Sequence, residues 1–208
     1  MSNKIVKDTM ALTVITLVSG LFLGLVHDIT ADPIAKQEEK TKQEAYKAVF
    51  ADADSFEVVA AEPDAELEAY LDEQGYSTET VDEIMLAKDA DGQEIGYAFT
   101  VTTSEGYGGD IQLAMGVQAD GTLNGISFLS ISETAGMGMR ANTDDFKNQF
   151  CGQNAEEIQY TKAGDAGDGV IDAISGATIT TDAVTSSVNA GLCAFRYEQS
   201  RGEGADGK

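Results

Sequence analysis

The sequence predicts an α+β protein, an antiparallel sheet with packed helices behind one N-terminal transmembrane helix. Three observations predict it. Residues 9–26 contain no charged side chain. Between Glu83 and Ile131 apolar residues alternate with period two, the spacing of strands. From Asp182 to Tyr197 the helical period returns, with Val184, Val188, Leu192 and Phe195 on one face.

The apolar run 9–26 approaches the roughly 20 residues that a spanning helix needs. Lys4 and Lys7 precede it, and Asp28 and Asp32 follow it. The positive-inside rule therefore places the N-terminus in the cytoplasm and the chain beyond His27 outside, as a single-pass protein of the cell (inner) membrane. His27, Asp28 and Ile29 follow the run where a small-x-small cleavage site would lie, so residues 1–27 read as an uncleaved anchor. Residues 28–50 read as a helical stalk. Its helix is expected to start at Pro33, which a first helical position tolerates, and Glu38 and Lys42 are spaced to pair. Ala45, Tyr46, Val49 and Phe50 give its second half an apolar stripe that docks.

Residues 51–199 form the extracytoplasmic domain. It opens with an acidic, mixed stretch to residue 80 holding one short helix, Ala65 to Gln74. Strands follow at Ile84–Lys88, Ile95–Thr103, Ile111–Val117 and Leu123–Ile131. Asp91-Gly92 and Asp120-Gly121 are hairpin signals between them, and Gly106-Tyr107-Gly108-Gly109 is a turn. Thr143 is placed to cap a short helix from Asp144 to Phe150. Residues 152–169 read as loop, with an extended patch at Ile158-Gln159-Tyr160. The tail, 200–208, is Gly-rich and charged and is expected to be disordered.

The formal charge is −23, which disfavours nucleic acid as a partner because its phosphates would be repelled. Cys151 and Cys193 are too far apart in sequence for a metal-type cluster; an extracytoplasmic setting would permit a disulfide between them, and the reading preferred is two buried free thiols. His27, at the membrane edge, is the only histidine. That excludes a histidine-based catalytic triad in the soluble part and any multi-histidine metal site.

The chemistry concentrates at Asp172-Ala173-Ile174-Ser175-Gly176-Ala177-Thr178. Gly176 and Ala177 leave the backbone nearly bare, so a bulky group can approach it. Thr178 then presents a hydroxyl near the start of a helix, where unpaired N–H groups favour a phosphate. The other reading is a plain strand-to-helix turn capped by Thr180 or Thr181.

This stretch resembles the flavinylation motif of the FMN-binding domain family, whose final Thr carries FMN through a phosphoester bond. Further blocks resemble that family in order. Gly106-Tyr107-Gly108-Gly109 is similar to its Gly-Tyr-Gly-Gly turn, and Asp120-Gly121-Thr122-Leu123-Asn124-Gly125-Ile126 to its next hairpin. Ser132-Glu133-Thr134-Ala135-Gly136-Met137-Gly138 resembles its Glu-Thr-Pro-Gly-Leu-Gly loop, departing with Ala135 for Pro and Met137 for Leu. The resemblance implies covalent FMN on Thr178 as a phosphoryl threonine. It also implies ring contacts from Glu133, Thr134, Met137 and Tyr107, and a turn built by Ser175, Gly176 and Ala177. Asp172 is the helper that orients or deprotonates Thr178, or else an Asx-type turn residue. Lys162, Arg140 and Lys147 are the cations available to phosphate or flavin oxygens.

Within that family, an anchor followed by one flavin domain resembles the G-subunit family of Rnf-type, ion-translocating ferredoxin:NAD⁺ oxidoreductases. The C-subunit family of Na⁺-translocating NADH:quinone reductases is the alternative. The resemblance implies electron transfer without independent catalysis, the membrane subunits of such a complex as partners, and a separate flavin transferase that uses FAD. The bilayer contact is residues 9–26. A reading of another class is an anchored acidic binding module with no cofactor.

Overall fold

The computed structural model describes residues 2–205, with side chains described from Lys4 to Arg201. The chain divides into two compact units, Met1–Thr41 and Lys42–Lys208. Helix α1, Ser2–Val49, supplies the first unit and enters the second. It does not restart at Pro33, which lies inside it.

The apolar stretch of α1 is exposed throughout and is long and apolar enough to cross a membrane. Its three threonine hydroxyls bond within the helix. Thr9 donates to the Ile5 carbonyl, Thr13 to that of Thr9 and Thr16 to that of Leu12, each at 2.9 Å. Such back-bonding pairs these donors without water.

The second unit is built on a five-stranded antiparallel sheet in the order β1-β2-β3-β4-β5. The strands are β1 Ser55–Ala60, β2 Glu79–Lys88, β3 Glu94–Thr103, β4 Ile111–Gln118 and β5 Leu123–Ser130. The hairpin signals fall between β2 and β3 and between β4 and β5, with Gly92 at φ 77° and Gly121 at φ 87°. Helix α2, Ala65–Glu73, is capped by Asp64, whose carboxylate accepts the Glu66 N–H at 2.9 Å. Helix α3, Asp144–Lys147, runs into a 3₁₀ turn, Asn148–Phe150. Thr143 is the N-cap residue of α3, but its hydroxyl accepts no N–H of that helix and instead donates to the Arg140 carbonyl at 2.7 Å.

Both sheet faces are covered. Phe99, Val101, Leu113, Met115 and Val117 bury against helix α4, Thr178–Ala205, through Val184, Val188, Leu192 and Phe195. The opposite face carries small residues, Ala87, Ala98 and Ala114, and takes Tyr46, Val49 and Phe50 from the end of α1. Tyr46 donates to Glu83 at 2.7 Å and shares a hydrogen bond with Thr100, while Lys42 pairs with Glu83 at 3.0 Å.

Several elements differ from the sequence expectation. Strand β1 arises from the acidic stretch, and it hides in the sequence because most of this edge strand is exposed. Strand β2 begins at Glu79, and a register shift between Val81 and Glu83 breaks its alternation. Residues 159–161 and 170–172 form a parallel pair, β6 Gln159–Thr161 and β7 Val170–Asp172. Cys193 is buried, as expected, but Cys151 is exposed, since Phe150 beside it takes the buried position.

Helix α4 starts four residues before the expected Asp182 and continues to Ala205 rather than ending at a disordered Ser200; residues 206–208 lie outside the described residues. Extension adds one hydrogen bond per residue once a helix is nucleated. Arg201 holds it by pairing with Asp64 at 3.1 Å and lying over the Tyr197 ring.

Candidate functional site

The site is built at the passage from β7 to α4. Strand β7 pairs with β6 through Thr161 and Asp172, and the Ala173 N–H donates to the Thr161 carbonyl at 2.7 Å. The chain then turns through Ile174–Ala177, closed by the Ala177 N–H donating to the Ile174 carbonyl at 3.0 Å. Gly176 takes the third position of this turn at φ 82°, a conformation that glycine adopts without steric cost.

The helix begins on Thr178. The Ala177 carbonyl accepts the first helical hydrogen bond, from the Thr181 N–H at 3.0 Å. Alanine has no oxygen with which to cap, so the N–H groups of Thr178, Ile179 and Thr180 stand outside the helical ladder. The sequence expectation that Thr180 or Thr181 caps the helix is therefore corrected: both lie within it and are buried. Thr181 Oγ1 instead accepts the Ile174 N–H and donates to the Ala177 carbonyl, each at 3.0 Å. Thr178 is left exposed at the helix start.

Opposite this start lie two loops. Glu133 is 8% exposed and accepts the Gly108 N–H at 3.2 Å. A Cβ on Gly108 would stand 2.1 Å from the Ser132 carbonyl oxygen, so the Gly106–Gly109 turn packs against the end of β5 only because side chains are missing there. That packing brings Tyr107 to the site. The Thr134–Met137 turn closes without the family's proline, by the Met137 N–H donating to the Thr134 carbonyl at 3.1 Å, with Gly136 at φ 76°.

Together these parts enclose a cleft of about 470 Å³ lined by Tyr107, Glu133, Thr134, Met137, Gly176, Ala177 and Thr178, with Gly138, Ile179 and Thr180. Its size is within the roughly 300–1,000 Å³ of small-ligand sites. Tyr107, Met137 and Ile179 are 69%, 47% and 53% exposed and give it an apolar rim. Thr178 also borders a smaller cleft of about 170 Å³ with Lys162, Ser175 and Gly176. Asp172 borders neither. It lines a third cleft of about 220 Å³ with Arg140, Thr143 and Gln149. Of the three candidate cations, Lys162 shares a cleft with Thr178, Arg140 shares one with Asp172, and Lys147 pairs with Asp144 at 3.2 Å.

Ile179 and Thr180 escaped sequence reading because the helix start was expected later. Gly138 was visible as the last glycine of the Glu133–Gly138 block. A Cβ there would meet Glu133 Oε2 and Thr180 Oγ1, each at 2.6 Å, so this glycine lets two walls of the cleft touch.

The apolar-rimmed cleft ends at an uncapped helix N-terminus and an exposed hydroxyl, an arrangement suited to a planar ring beside a phosphate. Residues 106–192 match the family model of the FMN-binding domain, and residues 1–49 that of the RnfG N-terminal region. The G subunit of the Na(+)-translocating ferredoxin:NAD(+) oxidoreductase complex of Acetobacterium woodii is 32% identical over 193 residues, 91% of each chain. The G subunit of the proton-translocating ferredoxin:NAD(+) oxidoreductase complex of Clostridium ljungdahlii is 30% identical over 186 residues, 89% of each. The crystal structure of the C subunit of Na(+)-translocating NADH-quinone reductase from Parabacteroides distasonis aligns over 68% of this chain and 75% of that one, at 22% identity and a TM-score of 0.48. This chain belongs to the G-subunit family of ion-translocating, Rnf-type oxidoreductase complexes.

FMN fits the residues present. The large cleft offers apolar walls for a ring, and the bare backbone at Gly176 and Ala177 lets a phosphate reach the helix N–H groups.

Proposed function

We propose that this protein is the membrane-anchored electron-transfer subunit of an ion-translocating ferredoxin:NAD⁺ oxidoreductase complex, and that it holds FMN as a phosphoester on Thr178. When bound, FMN supplies one- and two-electron redox chemistry, which no side chain of this protein offers. The observation that carries the reading is Thr178 itself, an exposed hydroxyl at an uncapped helix start, set between an apolar cleft and a cleft containing Lys162.

The chain's own residues supply position and electrostatics. The N–H groups at the head of α4 and the Lys162 ammonium attract a phosphate. Tyr107, Met137 and Ile179 offer apolar surface to a ring, and Glu133 fixes the turn that carries Tyr107. Serine-protease-like activation of Thr178 is excluded because no histidine lies in the soluble unit. Loading by a flavin transferase with FAD as donor is what the family resemblance implies. The Thr178 Oγ–P bond forms, the bridging P–O bond of FAD breaks, AMP leaves, and the hydroxyl proton passes to a base. Intact mass of the full chain, made with and without a flavin transferase, tests the reading. A mass increase of one FMN less water is expected only with the transferase, and its absence overturns the attachment.

Residues 9–26 cross the bilayer with the N-terminus in the cytoplasm, and the other membrane subunits of the complex are the partners. A cysteine added at the C-terminus, in a Cys151→Ser background, should react with an impermeant maleimide in intact cells. Reaction only after lysis would reverse the topology.

Met137→Ala should shift the spectrum or potential of the bound flavin without releasing it, because it removes an apolar wall and leaves the attachment. Unchanged values of both would place the ring elsewhere.

A further inference from the structure

The free edge of β7 points to a residue that the family resemblance does not single out. One edge of β7 pairs with β6. Along the other edge Val170 and Gly167 exchange backbone hydrogen bonds at 3.0 and 2.9 Å, and at Asp172 that edge is taken by a side chain, Gln149. Its Oε1 accepts the Asp172 N–H at 2.7 Å, and its Nε2 donates to the Asp172 carbonyl at 3.5 Å. A glutamine amide thus stands where a neighbouring strand would be, at the last strand residue before Ala173–Ala177. Gln153, four residues on, ties the chain just before β7: its Oε1 accepts the Gly169 N–H at 2.7 Å, and its Nε2 donates to the Gln149 carbonyl at 3.0 Å and to the Gly167 carbonyl at 3.3 Å.

The far end of the loop is tied as well, through Thr181 Oγ1 and the Ile174 N–H. Between these ties Ser175 and Gly176 are exposed and lead directly to Thr178. Asp172 Oδ1 is sealed from solvent and, among the described residues, has no hydrogen-bond partner. An acceptor left unpaired in the interior costs about 1–3 kcal/mol, so Asp172 stays there only while its backbone is held. Freed of Gln149, Asp172 can turn toward solvent or toward Arg140, which lines the same cleft.

We propose that Gln149 is a positioning residue for the loading of Thr178: its amide fixes Asp172 and, through the short loop that follows, the Thr178 hydroxyl that attacks the flavin-side phosphorus of FAD. This rests on Thr178 being the attachment residue. The bonds formed and broken are those given above; Gln149 touches no reacting atom.

The test uses the full chain in detergent with purified flavin transferase and FAD. Initial rates of covalent flavin formation are read by in-gel fluorescence across protein concentrations. Gln149→Met removes both hydrogen bonds at similar volume and should lower kcat about 10-fold or more while leaving KM for the protein substrate unchanged, since misplacement by about 1 Å costs up to about 10²-fold. Amide exchange at residues 172–176 should quicken, with α4 still protected. Gln153→Met, which frees Gly169 and the Gln149 carbonyl but leaves the Gln149 amide in place, is the structural control, and it should lower kcat less. If Gln149→Met does not fold, Gln149→Asn, which withdraws the amide by one methylene, replaces it. A kcat equal to the unsubstituted protein's, or an equal fall in both glutamine variants, overturns the proposal. Failure of the unsubstituted protein to take up flavin would instead count against Thr178.

Discussion

Thr178→Ala is expected to abolish covalent flavin and leave the fold intact. The hydroxyl is exposed at the first residue of α4, and no packing depends on it. Losing one exposed hydroxyl usually changes stability by less than about 1 kcal/mol. The neighbouring hydroxyls cannot take its place. Thr181 Oγ1 is engaged on both sides, with Ile174 and Ala177, and Thr180 is 1% exposed. Ser175 is exposed but lies within the Ile174–Ala177 turn and does not line the 470 Å³ cleft. Mass mapping of peptides from protein made with a flavin transferase reads the result. FMN on another residue, or full loading of the alanine variant, would move the site. Thr178→Ser keeps a hydroxyl and should retain part of the loading.

Phe50→Ala is expected to cause the largest loss of stability, about 3–5 kcal/mol. Phe50 is 3% exposed and seats the end of α1 on the sheet face opposite α4. Its socket is made by missing side chains. A Cβ on Gly96 would lie 2.8 Å from the Phe50 ring, and one on Gly116 would lie 2.9 Å from it. Removing the ring leaves a cavity over two glycines, which have no side chains to fill it. Urea unfolding of the full chain, followed by circular dichroism, gives the value. A loss below about 1 kcal/mol would show that the ring does not anchor α1 to the sheet.

The two glycines also show how much of this fold was legible in the sequence. Alternation named the strands from Ile84 to Ile131, because a strand's period is a local property. It did not show that both faces are covered, since Ala98, Ala114 and Gly116 carry no signal of what packs on them. The small residues were visible, but their partner lies far back in the chain, on α1.

The same division holds at the site. The Gly106–Gly109 turn, the Glu133–Gly138 block and the Asp172–Thr178 stretch were each visible in the sequence, because close backbone approach demands glycine. Glu133, Thr134, Met137 and Tyr107 do line one cleft with Thr178. The sequence grouped Asp172 with Thr178 as well, yet the turn at Gly176 sends their side chains to different clefts.

By itself, then, the sequence determined the apolar helix, the hairpins and the small-residue stretch before Thr178, because hydropathy, turn geometry and side-chain size act over a few residues. Tertiary structure alone decided that α4 starts at Thr178, that β1 pairs with β2, and that Gln149 holds Asp172. Each of these depends on a hydrogen bond or contact whose partner is set by the folded chain, and local residue preferences do not encode it.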